Sequence, residues 1–390
     1  MILDGVKVVE LATMWAAPGS AMYLADQGAD VIKVEPPRGD EARRLFTSRA
    51  LGNESPSFFA LNRNKRGICV DLTKPEGLEI VDKLVEKSDV LIQNYRPMVA
   101  ERLGVAYERL IGINPRLIYA ELSGYGKKGP YAEKGAYDLM LQALAGIMHR
   151  RTTDGTPVAA GIWAADCSTP MMLAYGISLG LYNREKTGKG TRFETSLLNT
   201  ALAMQHVDLV KTSLDGKGER APTDQASFSP YRCADGQWLL PVALSDKEWV
   251  RMCIALAIPH LATDERYAVA QARAENTEEL YGLLAGLYET KTREQWLTLL
   301  HAHDVPAVPI MERAEVLDSE QVIANDMRLE MDHPVGGRIT TTNTPLRFPD
   351  HPPSHRSVAP LQGQDTDPVL LDLGYQPKEL ESLREAGVIS

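Results

Sequence analysis

No stretch of this 390-residue sequence approaches the roughly 20 consecutive apolar residues that a membrane-spanning helix needs. The longest candidate, Met171 to Tyr182, is short and interrupted by glycines. The N-terminus, MILDGVKVVEL, places Asp4 and Glu10 where a signal peptide would carry a basic end and a long apolar run. No membrane partner and a cytoplasmic location are expected. A basic excess is missing as well: 42 Lys+Arg stand against 52 Asp+Glu, a formal charge of −10. Nucleic-acid binders need a basic face to neutralise phosphate, so no nucleic-acid partner is expected. The four cysteines, Cys69, Cys167, Cys233 and Cys253, include no CxxC pair. That excludes a disulfide framework and gives a zinc cluster no support.

Several catalytic signatures are absent too. The first strand signal runs into Leu11-Ala12-Thr13-Met14-Trp15-Ala16-Ala17-Pro18-Gly19 rather than a GxGxxG turn. A backbone of that kind does not approach a pyrophosphate closely, so no nicotinamide cofactor is expected. There is no P-loop, HExxH or GxSxG motif, and the eight histidines are scattered. No metal site is expected.

What is present points to a folded α/β protein. At 44% hydrophobic and 24% charged residues the chain can bury a full core, and its length favours more than one domain. The first 150 residues carry 20 basic and 19 acidic residues; the remainder carries 22 and 33. An anionic small molecule is therefore repelled least by the first part. Within residues 1–125, β-rich runs at Val6–Glu10, Val31–Glu35, Gly67–Leu72, Val90–Gln93 and Arg116–Leu122 alternate with helical stretches. One helix opens near Pro18 and stops at Gly28; another begins with a capping-box pattern at Thr73-Lys74-Pro75-Glu76. Strands separated by helices predict a doubly wound parallel sheet of Rossmann-like form. From Leu139 to Gln205 the pattern is mainly helical, with a long buried helix over Met171–Asn183. The predicted organisation is a large domain from residues 1–210 and 340–390 and a small α/β domain at 230–327, joined by linkers at 211–229 and 328–339. Helices are expected in the small domain around Lys247–Ala257 and Thr277–His301.

Six fragments in order carry a resemblance. They are Leu3-Asp4-Gly5-Val6-Lys7-Val8 with Gly28–Glu35; Asn64-Lys65-Arg66-Gly67 through Leu72; Asn94-Tyr95-Arg96-Pro97 leading to Arg102-Leu103-Gly104; Arg184-Glu185-Lys186-Thr187-Gly188-Lys189-Gly190; Val305-Pro306-Ala307-Val308-Pro309; and Gly363-Gln364-Asp365-Thr366. Together they resemble the class III CoA-transferases of the formyl-CoA and carnitine-CoA transferase type. That superfamily also contains the α-methylacyl-CoA racemases.

The resemblance implies a coenzyme A thioester as substrate, a free carboxylic acid as second substrate, and an interlocked homodimer. It implies Asp166, in Ala164-Ala165-Asp166-Cys167-Ser168-Thr169-Pro170, as the nucleophile that forms an acyl-aspartyl anhydride and then an aspartyl-CoA thioester. Taken alone, Asp166 reads as a helix cap; at a helix start, the dipole would hold it as an anion. By the same resemblance Met14, Trp15, Ala16 and Tyr137 line the substrate pocket, and Arg38, Asn64, Lys65, Arg66, Asn94, Arg102 and Lys134 bind CoA or shape its face. CoA carries three phosphate groups, which suits arginine and lysine.

Tyr137 stands where the racemases have histidine. An unperturbed phenol, with a pKa of about 10, is a poor base at neutral pH. The glycine-rich loop of formyl-CoA transferases has no counterpart in Thr223–Cys233, which argues against formyl-CoA or oxalyl-CoA. Succinyl-CoA or another dicarboxylyl-CoA is the expected donor. A racemase, an intramolecular CoA isomerase and a non-catalytic subunit of a heteromer remain as alternatives.

Overall fold

The fold is described from a computed structural model that covers residues 1–150, 152, 154–210, 226–353 and 355–390. The sequence-predicted linker at 211–229 therefore lies largely outside the described residues. Six strands make one parallel sheet: β1 (Lys7–Glu10), β2 (Asp30–Glu35), β3 (Lys65–Cys69), β4 (Val90–Gln93), β5 (Ile118–Ser123) and β6 (Thr191–Ser196), in the order β3-β2-β1-β4-β5-β6. The chain winds outward from β1 to β3, returns beside β1, and winds outward again. This is the doubly wound Rossmann-like order, with its crossover between β1 and β4. Helices fill the connections: α1 (Ala16–Asp26), α2 (Pro56–Asn62), α3 (Pro75–Glu86), α4 (Pro97–Arg102), α5 (Tyr107–Ile113), α6 (Asp138–Leu144), α7 (Ala164–Thr187) and α8 (Leu197–Ala203).

Because successive strand residues point to opposite faces, the sheet feeds two cores. Val8, Ile92 and Ala120 pack with Ala17, Ala21, Leu173 and Ile177 of α1 and α7. Their neighbours Val9, Leu91 and Tyr119 pack with Ile80, Val81 and Leu84 of α3. Burial on both faces is why β1, β4 and β5 read as apolar runs. Helix α1 lies tight on α7: a Cβ at Gly19 would fall 2.8 Å from Pro170 Cγ.

Met1–Leu209 and Glu320–Ser390 form one compact unit, and Val210–Ser319 forms another. In the second, β7 (Tyr231–Arg232), β8 (Trp238–Pro241) and β9 (Ala307–Pro309) pair antiparallel in one sheet. It also contains α9 (Asp246–Ala255), α10 (Ala270–Glu275), α11 (Thr277–Tyr288) and α12 (Arg293–Ala302). Trp249, Tyr288 and Trp296 are fully buried in its core. The helix expected over Thr277–His301 is two helices, because Thr292 and Gln295 form a capping box that starts α12 afresh.

In the first unit, α13 (Glu320–Ala324) precedes a hairpin of β10 (Arg328–His333) and β11 (Gly337–Thr342), which occupies the stretch predicted as the second linker. The last helices, α14 (Thr366–Asp372) and α15 (Pro377–Glu385), contribute Val369, Leu370 and Leu380 to the α3 side of the sheet. Among the described residues, no helix is long and apolar enough to cross a membrane.

Three local expectations need correction. Thr73 does not cap α3; its hydroxyl donates to Asp71 at 2.6 Å, and Lys74 stands at the N-cap without a side-chain bond. The long helix starts earlier than predicted, at Ala164, with Pro170 inside it. A sixth strand, β6, lies within the region read as mainly helical; it pairs along the whole of β5.

Candidate active site

In open α/β sheets, ligands sit outside the carboxyl ends of the strands at the point where strand order reverses. Here the segments leaving β1, β4 and β5 enclose a cavity of about 260 Å³ whose wall includes Thr13, Met14, Ala16, Asn94, Gly124 and Asp166. A second cavity of about 260 Å³ shares Thr13 and Glu41 with it and is lined also by Arg38, Tyr95 and Leu103.

Asp166 is half-buried in the first turn of α7. The α7 amides do not serve its carboxylate. The backbone N–H groups of Ala165 and Asp166 donate to Asp138 Oδ2 at 2.8 and 3.0 Å. Asp138 is 2% exposed and opens α6. Gln142, one turn on, donates to the other Asp138 oxygen and to the Ile162 carbonyl, and accepts from Ala160 N–H. The helix dipole expected to hold Asp166 as an anion is therefore matched by Asp138 instead. Burial first, and the Asp138 charge second, push the Asp166 pKa up to about 7. Such a carboxyl in a cleft has the perturbed proton affinity common at reactive sites.

The other predicted residues fall into three groups. Met14, Ala16, Asn94, Lys134 and Tyr137 line the cavity with Asp166. Asn94 spans Thr13, accepting from its N–H at 3.1 Å and donating to its carbonyl at 2.8 Å. Lys134 lies 4.8 Å above the Tyr131 ring, and Tyr137 is 67% exposed at the N-cap of α6. Arg38 lines the second cavity and pairs with Glu41 at 3.5 Å. Exposed Arg102 ends α4 directly before Leu103 of that cavity's wall.

Trp15 is on neither cavity wall. It meets Trp163 edge-on at 5.1 Å and Phe46 at 6.1 Å, and packs beside Phe58 and Phe59.

Asn64, Lys65 and Arg66 have internal partners rather than places on either wall. Asn64 donates to Asp26 and accepts from the Arg356 and Ser357 amides. Lys65 pairs with Glu10 at 2.7 Å and donates to the Pro18 carbonyl. Arg66 pairs with Asp30 at 2.6 Å.

Three residues of the site escaped the sequence. Asp138 was visible only as a carboxylate at a helix start, with nothing to show that it caps a different helix. Asp40 accepts from Met14 N–H at 3.1 Å from 26 residues away. Arg96 lines the Asp166 cavity without an ion-pair partner among the described residues; its signal was its place in Asn94-Tyr95-Arg96-Pro97. Cys167 beside Asp166 has a raised pKa, through partial burial of its thiol and then the charges of Asp166 and Asp138, which disfavours the thiolate. Among the described residues, no group of three or more His, Cys, Asp and Glu is arranged to hold a metal ion.

A sequence profile of CoA-transferase family III matches residues 3–366. The human succinyl-CoA:glutarate CoA-transferase is 31% identical over 99% of this chain and 90% of its own. The (R)-2-hydroxy-4-methylpentanoate CoA-transferase of Clostridioides difficile is 31% identical over the whole of both chains. Among solved structures, a CAIB/BAIF family protein from Brucella suis superposes with a TM-score of 0.83 at 33% identity, covering 95% of this chain and 99% of that one. Sequence and backbone agree over nearly the full length, and the chain belongs to CoA-transferase family III.

Proposed function

We propose that this CoA-transferase moves CoA from a dicarboxylyl-CoA, succinyl-CoA in the first instance, to a second free carboxylic acid, with Asp166 as the nucleophile. The observation that carries the reading is the Asp166 carboxyl on the wall of the cavity at the sheet's crossover. The dicarboxylate assignment leans on the human relative named for succinyl-CoA and glutarate.

The chemistry balances without ATP. The Asp166 carboxylate attacks the thioester carbonyl, the C–S bond breaks, and a mixed anhydride and CoA thiolate result. The thiolate attacks the aspartyl carbonyl and releases the donor's acid, leaving an aspartyl-CoA thioester. The incoming carboxylate displaces the thiolate to form the second anhydride. The thiolate then attacks the new acyl carbonyl, which yields the product acyl-CoA and restores Asp166. The first-turn amide of Ala16 is the proposed donor to the oxyanion of the first addition, a role supported by the place of Ala16 on the same cavity wall as Asp166. Arg38 and Arg102 serve the phosphates of CoA, Asn94 and Lys134 the arm that leads to the thioester, and Tyr137 the acyl group. Lys65 supports the start of α1 from behind, through the Pro18 carbonyl.

The protein acts in the cytoplasm as an interlocked homodimer. An apolar stripe of Met171, Tyr175, Leu179 and Tyr182 along α7, between 49% and 61% exposed, supports a second copy as its cover.

Incubation of the purified protein with succinyl-CoA and a panel of carboxylic acids, with product masses read out, tests the function. Acid-dependent new acyl-CoA species are expected. Deuterium uptake at the α-carbon without any acceptor acid would mark a racemase instead, and wild-type activity in Asp166→Ala would remove the nucleophile.

A further inference from the structure

Between β1 and α1 the chain turns sharply, and the turn is held from three sides. Asn94 fixes both backbone polar groups of Thr13. Met14 adopts φ +70°, a left-handed conformation unfavourable for a residue with a Cβ. Its N–H is held by Asp40 Oδ1 at 3.1 Å, and the same oxygen accepts from Ala42 N–H at 2.9 Å.

Asp40 is fully buried, and a buried carboxylate persists only with compensation. Lys33, equally buried, supplies it at 2.8 Å. Lys33 also donates to Glu10 and to the Ala12 carbonyl, both at 2.8 Å, immediately before the turn. Glu10 is shared with Lys65 at 2.7 Å, and Lys65 reaches the Pro18 carbonyl of α1. Glu35 and Arg43 complete the group at 2.7 Å, with Glu35 accepting Asp40 N–H. Three cations and three carboxylates thus connect the turn to the start of α1.

We infer that Asp40 is a positioning residue for acyl transfer: locked by Lys33, its carboxylate pins the Met14 amide and thereby aims the start of α1 into the cavity that contains Asp166. The N–H groups of Ala16 and Ala17 have no intrahelical acceptor, and Pro18 has no N–H. Ala16 is the one of these on the cavity wall; its N–H is the donor a developing oxyanion would meet, and its placement depends on the turn. A misplacement of about 1 Å is enough to cost on the order of 100-fold in rate. The inference rests on the transfer reaction proposed above.

The test separates pinning from mere charge balance. Asp40→Ala removes both acceptor and charge, and a fall in kcat on the order of 100-fold is expected, with a lower Tm. Asp40→Asn keeps an oxygen for Met14 and Ala42 while losing the charge; its kcat should exceed that of Asp40→Ala by at least tenfold although its Tm also falls. The double variant Lys33→Met with Asp40→Leu leaves Glu10 paired with Lys65 and Glu35 with Arg43. It should recover Tm above Asp40→Ala without recovering kcat. If kcat instead follows Tm across the three variants, Asp40 is only a charge partner and the inference is overturned.

Hydrogen exchange of the native proteins decides the same point without turnover. Amides of residues 13–17 should exchange at least tenfold faster in Asp40→Ala, and unchanged exchange would overturn the pin. An inactive wild type would count against the transferase reading alone, because the exchange comparison stands without it.

Discussion

The Asp138 carboxylate accepts the backbone N–H groups of both Ala165 and Asp166, so the amides at the start of α7 are satisfied by a neighbouring helix. Asp166 is left without them, beside a second negative charge, in a partly buried wall. One carboxylate is structural and keeps its partners; the other has a raised pKa and lines the cavity.

This arrangement predicts a pH dependence. In the proposed reaction Asp166 attacks only when ionised, and its pKa is pushed up to about 7. For the free enzyme, kcat/KM for acyl-CoA should rise with pH and level off above an inflection near 7. In Asp138→Asn the neighbouring charge is gone while an amide oxygen can still accept from α7. The inflection should move to lower pH, though not to the ordinary carboxylate range, because burial is the larger cause. An unmoved inflection would show that Asp138 does not act on Asp166.

The same shift has a stability consequence. The folded protein holds the Asp166 proton between the ordinary aspartate pKa and about 7, where the unfolded chain has released it. Stability therefore falls as pH rises through that window, and the loss is complete above it. Asp166→Asn escapes this and should gain relative to wild type as pH rises from 4 to 8, by about 1–3 kcal/mol after screening. Parallel denaturation midpoints at both pH values would contradict it.

Truncating the cap is a different matter. Asp138→Ala orphans the Ala165 and Asp166 amides and leaves Gln142 without one of its acceptors. N-cap losses typically cost about 0.5–2 kcal/mol, and an orphaned buried group adds to that. Urea denaturation should show a loss of roughly 2 kcal/mol in Asp138→Ala and a smaller one in Asp138→Asn.

At Gly19, two effects oppose each other. Alanine is favoured over glycine in a helix by about 1 kcal/mol. Its Cβ, however, would meet Pro170 Cγ at 2.8 Å, and overpacking of this kind costs about 1–3 kcal/mol. Gly19→Ala should therefore lower stability despite its better helix propensity; a higher denaturation midpoint would mean that α1 and α7 separate easily.

How much of this was legible follows from which forces act locally. Strands β1, β4 and β5 showed in the sequence because burial on both faces forces continuous apolar runs such as Val90–Gln93. Strand β6, Thr-Arg-Phe-Glu-Thr-Ser, lies at the sheet edge, is only partly buried and is defined by its partner β5. The basic stretch Asn64-Lys65-Arg66 read as part of a ligand face. The inward placement of Lys65 depends on Glu10, which is in register with Lys33 on a parallel strand 23 residues away, and no local pattern encodes that. Asp166 was found through its family resemblance, and Asp138, 28 residues earlier, was missed because a carboxylate at a helix start is normally its own helix's cap.

Covalent capture at the Asp166 carboxyl group tests the proposed transfer most directly. The protein would be incubated with succinyl-CoA, quenched with hydroxylamine, digested and mapped by mass spectrometry, with Asp166→Asn alongside. The expected result is a hydroxamate on Asp166 that requires acyl-CoA and is missing from the variant. Turnover of succinyl-CoA and an acceptor acid with no modification at Asp166, or the same modification pattern in the variant, would contradict it.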